Sequence, residues 1–121
     1  MMKSAIDELH DKAMELADEA HYAKKKDNLE EAQSKYLSAF EYEKSAAMLL
    51  VNDYAQEPTR SVLFRSAACL LLNLPFPSEK EFRKAERMVA YGLSGNPPGE
   101  IAEELREAWR ELLTSFAQKV A

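Results

Sequence analysis

The strongest constraint on this chain is where its helix breakers fall. All three glycines, Gly92, Gly95 and Gly99, lie close together, and the five prolines stand only at positions 58, 75, 77, 97 and 98. Glycine and proline are the residues that cost most inside a helix. Confining them leaves long unbroken stretches, and each stretch repeats its apolar residues with helix periodicity. Ile6, Leu9, Ala13, Leu16, Ala20 and Ala23 step by three and four with charged residues between them, which predicts an amphipathic helix over roughly 3–25. Lys24, Lys25 and Lys26 follow where cations favour a helix C-terminus, and Asp27-Asn28 offers a turn and an N-cap.

A second run, Leu29, Ala32, Tyr36, Ala39, Phe40, Ala46 or Ala47 and Leu50, meets no breaker before Asn52. It predicts a helix of about 25 residues, near 37 Å long. A third is expected from Pro58, placed at the first helical position where its missing N–H costs nothing. From Val62 to Leu74 it is apolar almost all round, as a central, covered helix must be. Pro75 and Pro77 end it, and Ser78 with Glu81 spells a capping box. A fourth helix over about 79–94 buries Phe82, Ala85, Met88, Val89 and Leu93. A fifth over about 98–119 carries Ile101, Leu105, Ala108, Leu112 and Phe116, widened by Trp109, Leu113 and Val120. No segment alternates with period two. The reading is an all-α fold of about five antiparallel helices in one domain spanning 1–121, with short loops between sequential helices.

Composition removes several function classes. A formal charge of −5 argues against a dedicated nucleic-acid binder, because phosphate neutralisation needs clustered Lys and Arg. No apolar run reaches the ~18–20 residues of a membrane span, and the first residues turn acidic without an apolar signal core. The single cysteine, Cys69, excludes an internal disulfide. These features lead us to expect a cytoplasmic protein that engages neither nucleic acid nor membrane.

The spacing within the first two helices carries a resemblance. Ala20 is a small residue on the first helix, Ala32 a small residue early in the second, and Tyr36 and Ala39 follow. Around the turn the chain reads DNLEEA. Later, Ala85, Val89, Gly92 and Pro97 stand in the same relative order, with Ala68 on the helix before them. This pattern resembles the tetratricopeptide repeat, whose small residues let paired helices approach and whose aromatic fills the gap. The likeness covers roughly 13–50 and 60–98. It is degenerate: Ala20 and Ala68 stand 48 apart, whereas the family repeats every 34 residues. Asp27 occupies a place the family usually gives to glycine, and Lys44 one it gives to proline. The resemblance implies two helical hairpins, a C-terminal capping helix, and a groove lined by the first helix of each pair. On that basis the groove face takes Met14, Asp18, His21, Lys24 and Lys25 from one helix. It takes Val62, Arg65, Ser66, Cys69 and Asn73 from the other. His21, Lys24, Lys25, Arg65 and Asn73 are the candidate partner-binding residues, and Lys24, Lys25 and Arg65 are placed to hold a partner carboxylate.

The remaining chemistry is weighed residue by residue. The glycine cluster has no strand before it and no following lysine, so it is no phosphate-binding loop. Gly95 reads as a left-handed helix cap, and Gly92, inside a helix, suggests a close helix crossing. Asp7 with His10 and Asp18 with His21 repeat eleven residues apart on one face, half of a bundle metal site. The two pairs are about 16 Å apart, and no second Glu-x-x-His answers them, so a solvated polar flank is the expectation. Cys69 reads as a buried structural cysteine. The favoured function is a non-catalytic adaptor that binds a protein or peptide segment, with no cofactor or metal. Self-assembly through the last helix, with Trp109 as the contact, or through the long second helix is the alternative. A metal-dependent enzyme using Asp7, His10, Asp18 and His21 is the third.

Overall fold

The computed structural model describes residues 4–120, the last five by backbone alone, so the expected roles of the Phe116 and Val120 side chains lie outside the described residues. Five α-helices and no strand occur among the described residues: α1 Ala5–Lys25, α2 Leu29–Met48, α3 Thr59–Leu72, α4 Glu79–Leu93 and α5 Gly99–Val120. Sequential helices pack as antiparallel hairpins. α1 lies on α2, α2 on α3, α3 on α4, and α5 against both α3 and α4.

α1 starts at Ser4, whose hydroxyl accepts the Asp7 N–H at 3.1 Å. Acidic residues fill its first turn and lysines its last, matching the helix dipole at both ends. It stops because Asp27 adopts φ 62°. The Asn28 N–H then reaches back to Ala23 O at 2.9 Å and the Asp27 N–H to Lys24 O at 3.0 Å. This pair of bonds is a Schellman closure. A left-handed residue is needed there, and Asp tolerates that region better than most non-glycine residues.

The α1–α2 seam is built from alanine. Ala13, Ala17, Ala20 and Ala23 on α1, with Ala32, Ala39, Ala46 and Ala47 on α2, are all buried. Small side chains let the two backbones come close, and Tyr36 and Phe40 fill the space beside the seam. The second half uses larger groups. Leu63, Phe64, Leu70 and Leu71 of α3 pack with Phe82, Met88 and Val89 of α4 and with Leu105 and Leu112 of α5. Burial of each such side chain contributes roughly 1.5–3 kcal/mol. Gly92 marks the tightest crossing. A Cβ there would meet both Leu105 methyls at 2.9 Å and Phe64 Cβ at 3.3 Å, so the close approach of α3, α4 and α5 needs a residue without a side chain.

Four local expectations change. α2 ends at Met48, several residues early, as its last turn tightens with bonds such as Leu50 N–H to Ala47 O at 2.9 Å. A one-turn 3-10 helix, Tyr54–Gln56, then leads toward α3. Pro58 stands just before the first helical residue of α3. The Ser78 hydroxyl bonds the Glu81 carboxylate directly at 2.9 Å and caps no backbone group. Gly95 is not left-handed, since no glycine has positive φ. It is small because the Arg60 guanidinium packs where a Cβ would stand.

Arg60 also ties down the chain just past the end of α2. Its side chain is fully buried. Its Nε and Nη2 donate to Val51 O at 3.1 and 3.0 Å, Nη2 to Tyr91 O at 2.8 Å, and Nη1 to Gly92 O at 3.4 Å. One cation thus satisfies carbonyls just past α2 and in the last turn of α4, where helices leave carbonyls unpaired. Glu57, 3.8 Å from Arg60 Nη1, accepts the Ser61 N–H and hydroxyl and the Asn96 N–H.

Candidate functional site

α3 has one open face. Val62, Arg65, Ser66, Cys69, Leu72 and Asn73 fall on it, and each is half-buried. Everything else in the helix beyond its first residue is buried. α5 stands on one side of this face, since Arg65 Nε lies 3.2 Å from Glu104 Oε2. That contact is a charge pairing without a hydrogen bond, because the Nε–H is not aimed at the carboxylate. α1 stands on the other side, joined to α3 by side chains at two levels. His10, in the first half of α1, and Ser66, midway along α3, meet on one carboxylate. Near the ends of both helices Lys24 Nζ donates to Asn73 O at 2.9 Å. α1 and α3 therefore run the same way, with a shallow groove between α1 and α5 and α3 as its floor.

The carboxylate is that of Glu43, from α2. It is fully buried. His10 Nδ1 lies 2.8 and 3.0 Å from its two oxygens, and Ser66 Oγ donates to Oε2 at 2.6 Å. A buried carboxylate is tolerated only when partnered this completely. The order of the three groups decides their chemistry. The carboxylate stands between the hydroxyl and the imidazole, so Ser66 meets Glu43 and not His10, an order different from that of a serine–histidine–acid relay. His10 is therefore tied into the core on one ring edge, which corrects the expectation of a purely solvated flank.

The candidate binding residues distribute unevenly. His21 is exposed, and its Nδ1 shares a hydrogen bond with the hydroxyl of Tyr36, with the two rings edge to face at 5.2 Å. Burial pushes the Tyr36 phenol above its ordinary pKa. Lys24 is already engaged by Asn73 O and lies over the Tyr36 ring at 5.8 Å. Asn73 also donates to Cys69 O at 3.0 Å. Lys25 is exposed at the end of α1. Arg65 is occupied by Glu104. Trp109 is half-buried beside Phe82, with ring centroids 6.2 Å apart, so it serves the α4–α5 contact. Cys69 sits centrally on the floor and is half-buried rather than buried. Desolvation raises its thiol pKa, opposed by Arg65 and aided by Glu111 and Glu104.

His10 and His21 do not converge, and no group of three or more His, Cys, Asp or Glu side chains comes together among the described residues. Among those residues, too, no helix is long and apolar enough to cross a membrane. The sequence reading missed Glu43 and Arg60. Each had a signal. Glu43 falls on the stripe of Tyr36, Phe40 and Ala47, and Arg60 on that of Phe64, Ala67 and Leu71, so both are charges at apolar positions. Comparison with family models, curated proteins and solved structures finds no match.

Proposed function

We propose that this chain is a non-catalytic interaction module that binds a segment of a partner protein along the α3 floor, between α1 and α5. One observation carries the reading. The most apolar helix of the molecule keeps an open face of six half-buried side chains, and α5 packs beside that face, on α3 and α4, rather than across it. Arg65 and Asn73 of the floor and His21, Lys24 and Lys25 of the α1 wall are the residues we assign to partner contact. The tetratricopeptide-like reading of the two hairpins supports this groove as the binding face, and the single cysteine, suited to a reducing compartment, supports a place in the cytoplasm.

The test is site-specific photo-crosslinking in the native host. A photoreactive side chain at Val62, in the floor, should capture one or a few defined partners. The same group at Ser38, exposed on the outer face of α2, should not capture them. Identical capture from both positions defeats the groove assignment.

A second reading is self-association through α5. Leu113 is exposed one turn beyond Trp109 on that helix. Light scattering of Leu113→Ala and Trp109→Ala separates it: a dimer that dissociates in both variants favours self-assembly, and a monomer in every case removes it.

A further inference from the structure

The chemistry of the groove's occupant can be read from its rim, and the reading rests on the groove assignment above. The cations expected to hold a carboxylate are largely spent: Lys24 on Asn73 O, Arg65 on Glu104. The acids are not. Asp7 and Asp18 are exposed on α1, at helical spacing from the His10, His21 and Lys24 stripe that faces α3. No ion pair to either is found among the described residues, in contrast to Glu15 and Glu19 on the flank of the same helix. Across the floor, Glu104 and Glu111 of α5 are exposed and both act electrostatically on the Cys69 thiol, which places two carboxylates beside the centre of the groove. Lys25 is the one uncommitted cation of this edge among the described residues, and it stands at the far end. The floor between the two acidic lips is mostly apolar, with Val62, Cys69 and Leu72, and Met14 joins them from α1; all four are half-buried.

We infer that the groove takes a basic, amphipathic segment of a partner protein, with an apolar side on Met14, Val62, Cys69 and Leu72 and Lys or Arg side chains against Asp7, Asp18, Glu104 and Glu111. Charge complementarity selects this occupant. An acidic segment would face three unpaired carboxylates, Asp7, Asp18 and Glu111, and the Glu104–Arg65 pair, for one free ammonium among the described residues, and like charges across an interface are strongly disfavoured. Nucleic acid is excluded by the same sign. The floor sets the length. α3 has 14 residues, so an occupant helix of about 14 residues, near 21 Å, covers it.

The experiment uses the intact protein and a displayed library of random peptides of that length. Clones enriched on the wild type should carry net positive charge and apolar residues at steps of three and four. A synthetic lead peptide should slow alkylation of Cys69, the only cysteine, by at least about fivefold, since its thiol is the centre of the covered floor. Neutralising three rim acids together, Asp18→Asn, Glu104→Gln and Glu111→Gln, should weaken the lead roughly tenfold, as three exposed ion pairs imply. Raised salt should weaken it on the wild type without any substitution. Enriched clones that protect Cys69 but are neutral or acidic would overturn the charge inference and leave the groove standing. Basic clones that bind without changing the alkylation rate would overturn the groove itself. No enrichment, or a lead insensitive to both salt and the triple variant, also defeats the proposal.

Discussion

Two buried charges divide this molecule. Arg60 lies among helix ends and Glu43 among helix middles, and both are completely inaccessible. Their partners differ in kind. Arg60 is held by main-chain carbonyls of Val51, Tyr91 and Gly92, with Glu57 beside it. Glu43 is held by two side chains, His10 and Ser66. Main-chain partners persist through most substitutions, whereas a side-chain partner is removed by one. The Arg60 cluster therefore fixes the fold, and the Glu43 cluster sets how α1 lies against α3, the wall against the floor of the groove.

The contrast orders the expected effects of substitution. Arg60→Met should cost about 3–5 kcal/mol in urea unfolding, because it withdraws both guanidinium bonds from Val51 O, one each from Tyr91 O and Gly92 O, and the cation beside the Glu57 carboxylate. A cost below about 1 kcal/mol would show that water takes over the guanidinium's place, and the comparison would collapse. Gly95→Ala presses a methyl onto the same guanidinium and should cost about 1–3 kcal/mol. Its effect should shrink in an Arg60→Met background, and additivity of the two would break the link between them. Glu43→Gln keeps the shape of the side chain and should cost about 1–2 kcal/mol. A double-mutant cycle with His10→Ala should show coupling near 1 kcal/mol; zero coupling would reduce the cluster to packing. Smallest is Tyr36→Phe, which removes one hydrogen bond to His21 at roughly 1 kcal/mol. It has a pH signature. Burial raises the Tyr36 phenol in the folded state, so its stabilisation is full below the ordinary phenol value of about 10 and is lost as pH rises through the raised one. Wild-type stability should fall more steeply above about pH 10 than that of Tyr36→Phe.

Periodicity made the helices legible, because four breaks in a chain with few glycines and prolines leave little else to build. The Gly92 crossing was legible for the same reason: a glycine at a buried helical position has a cost that only close packing offsets. The early end of α2 was not. Nothing near Met48 breaks a helix. The chain just past it is held from a distance: Arg60 bonds Val51 O, nine residues away across a loop. The role of Gly95 was misread likewise, since its neighbour in space is a side chain distant in sequence. At the candidate site the tetratricopeptide resemblance named Val62, Arg65, Ser66, Cys69 and Asn73 together, but it did not tell how they are engaged. That Lys24 and Arg65 are engaged within the protein depends on the distances between α1, α3 and α5, which no local pattern encodes.

The guanidinium that bridges the end of the first hairpin to the end of the second also bears on how the protein comes apart. In a stacked array each unit touches only its neighbours, and terminal units fray independently. Here Val51, Tyr91 and Gly92 share a single cation. Releasing α4 withdraws partners from the same group that closes α2. The two hairpins are thereby joined into one cooperative unit, and the slowest amide protons of α2 and α4 should exchange together, through a common opening.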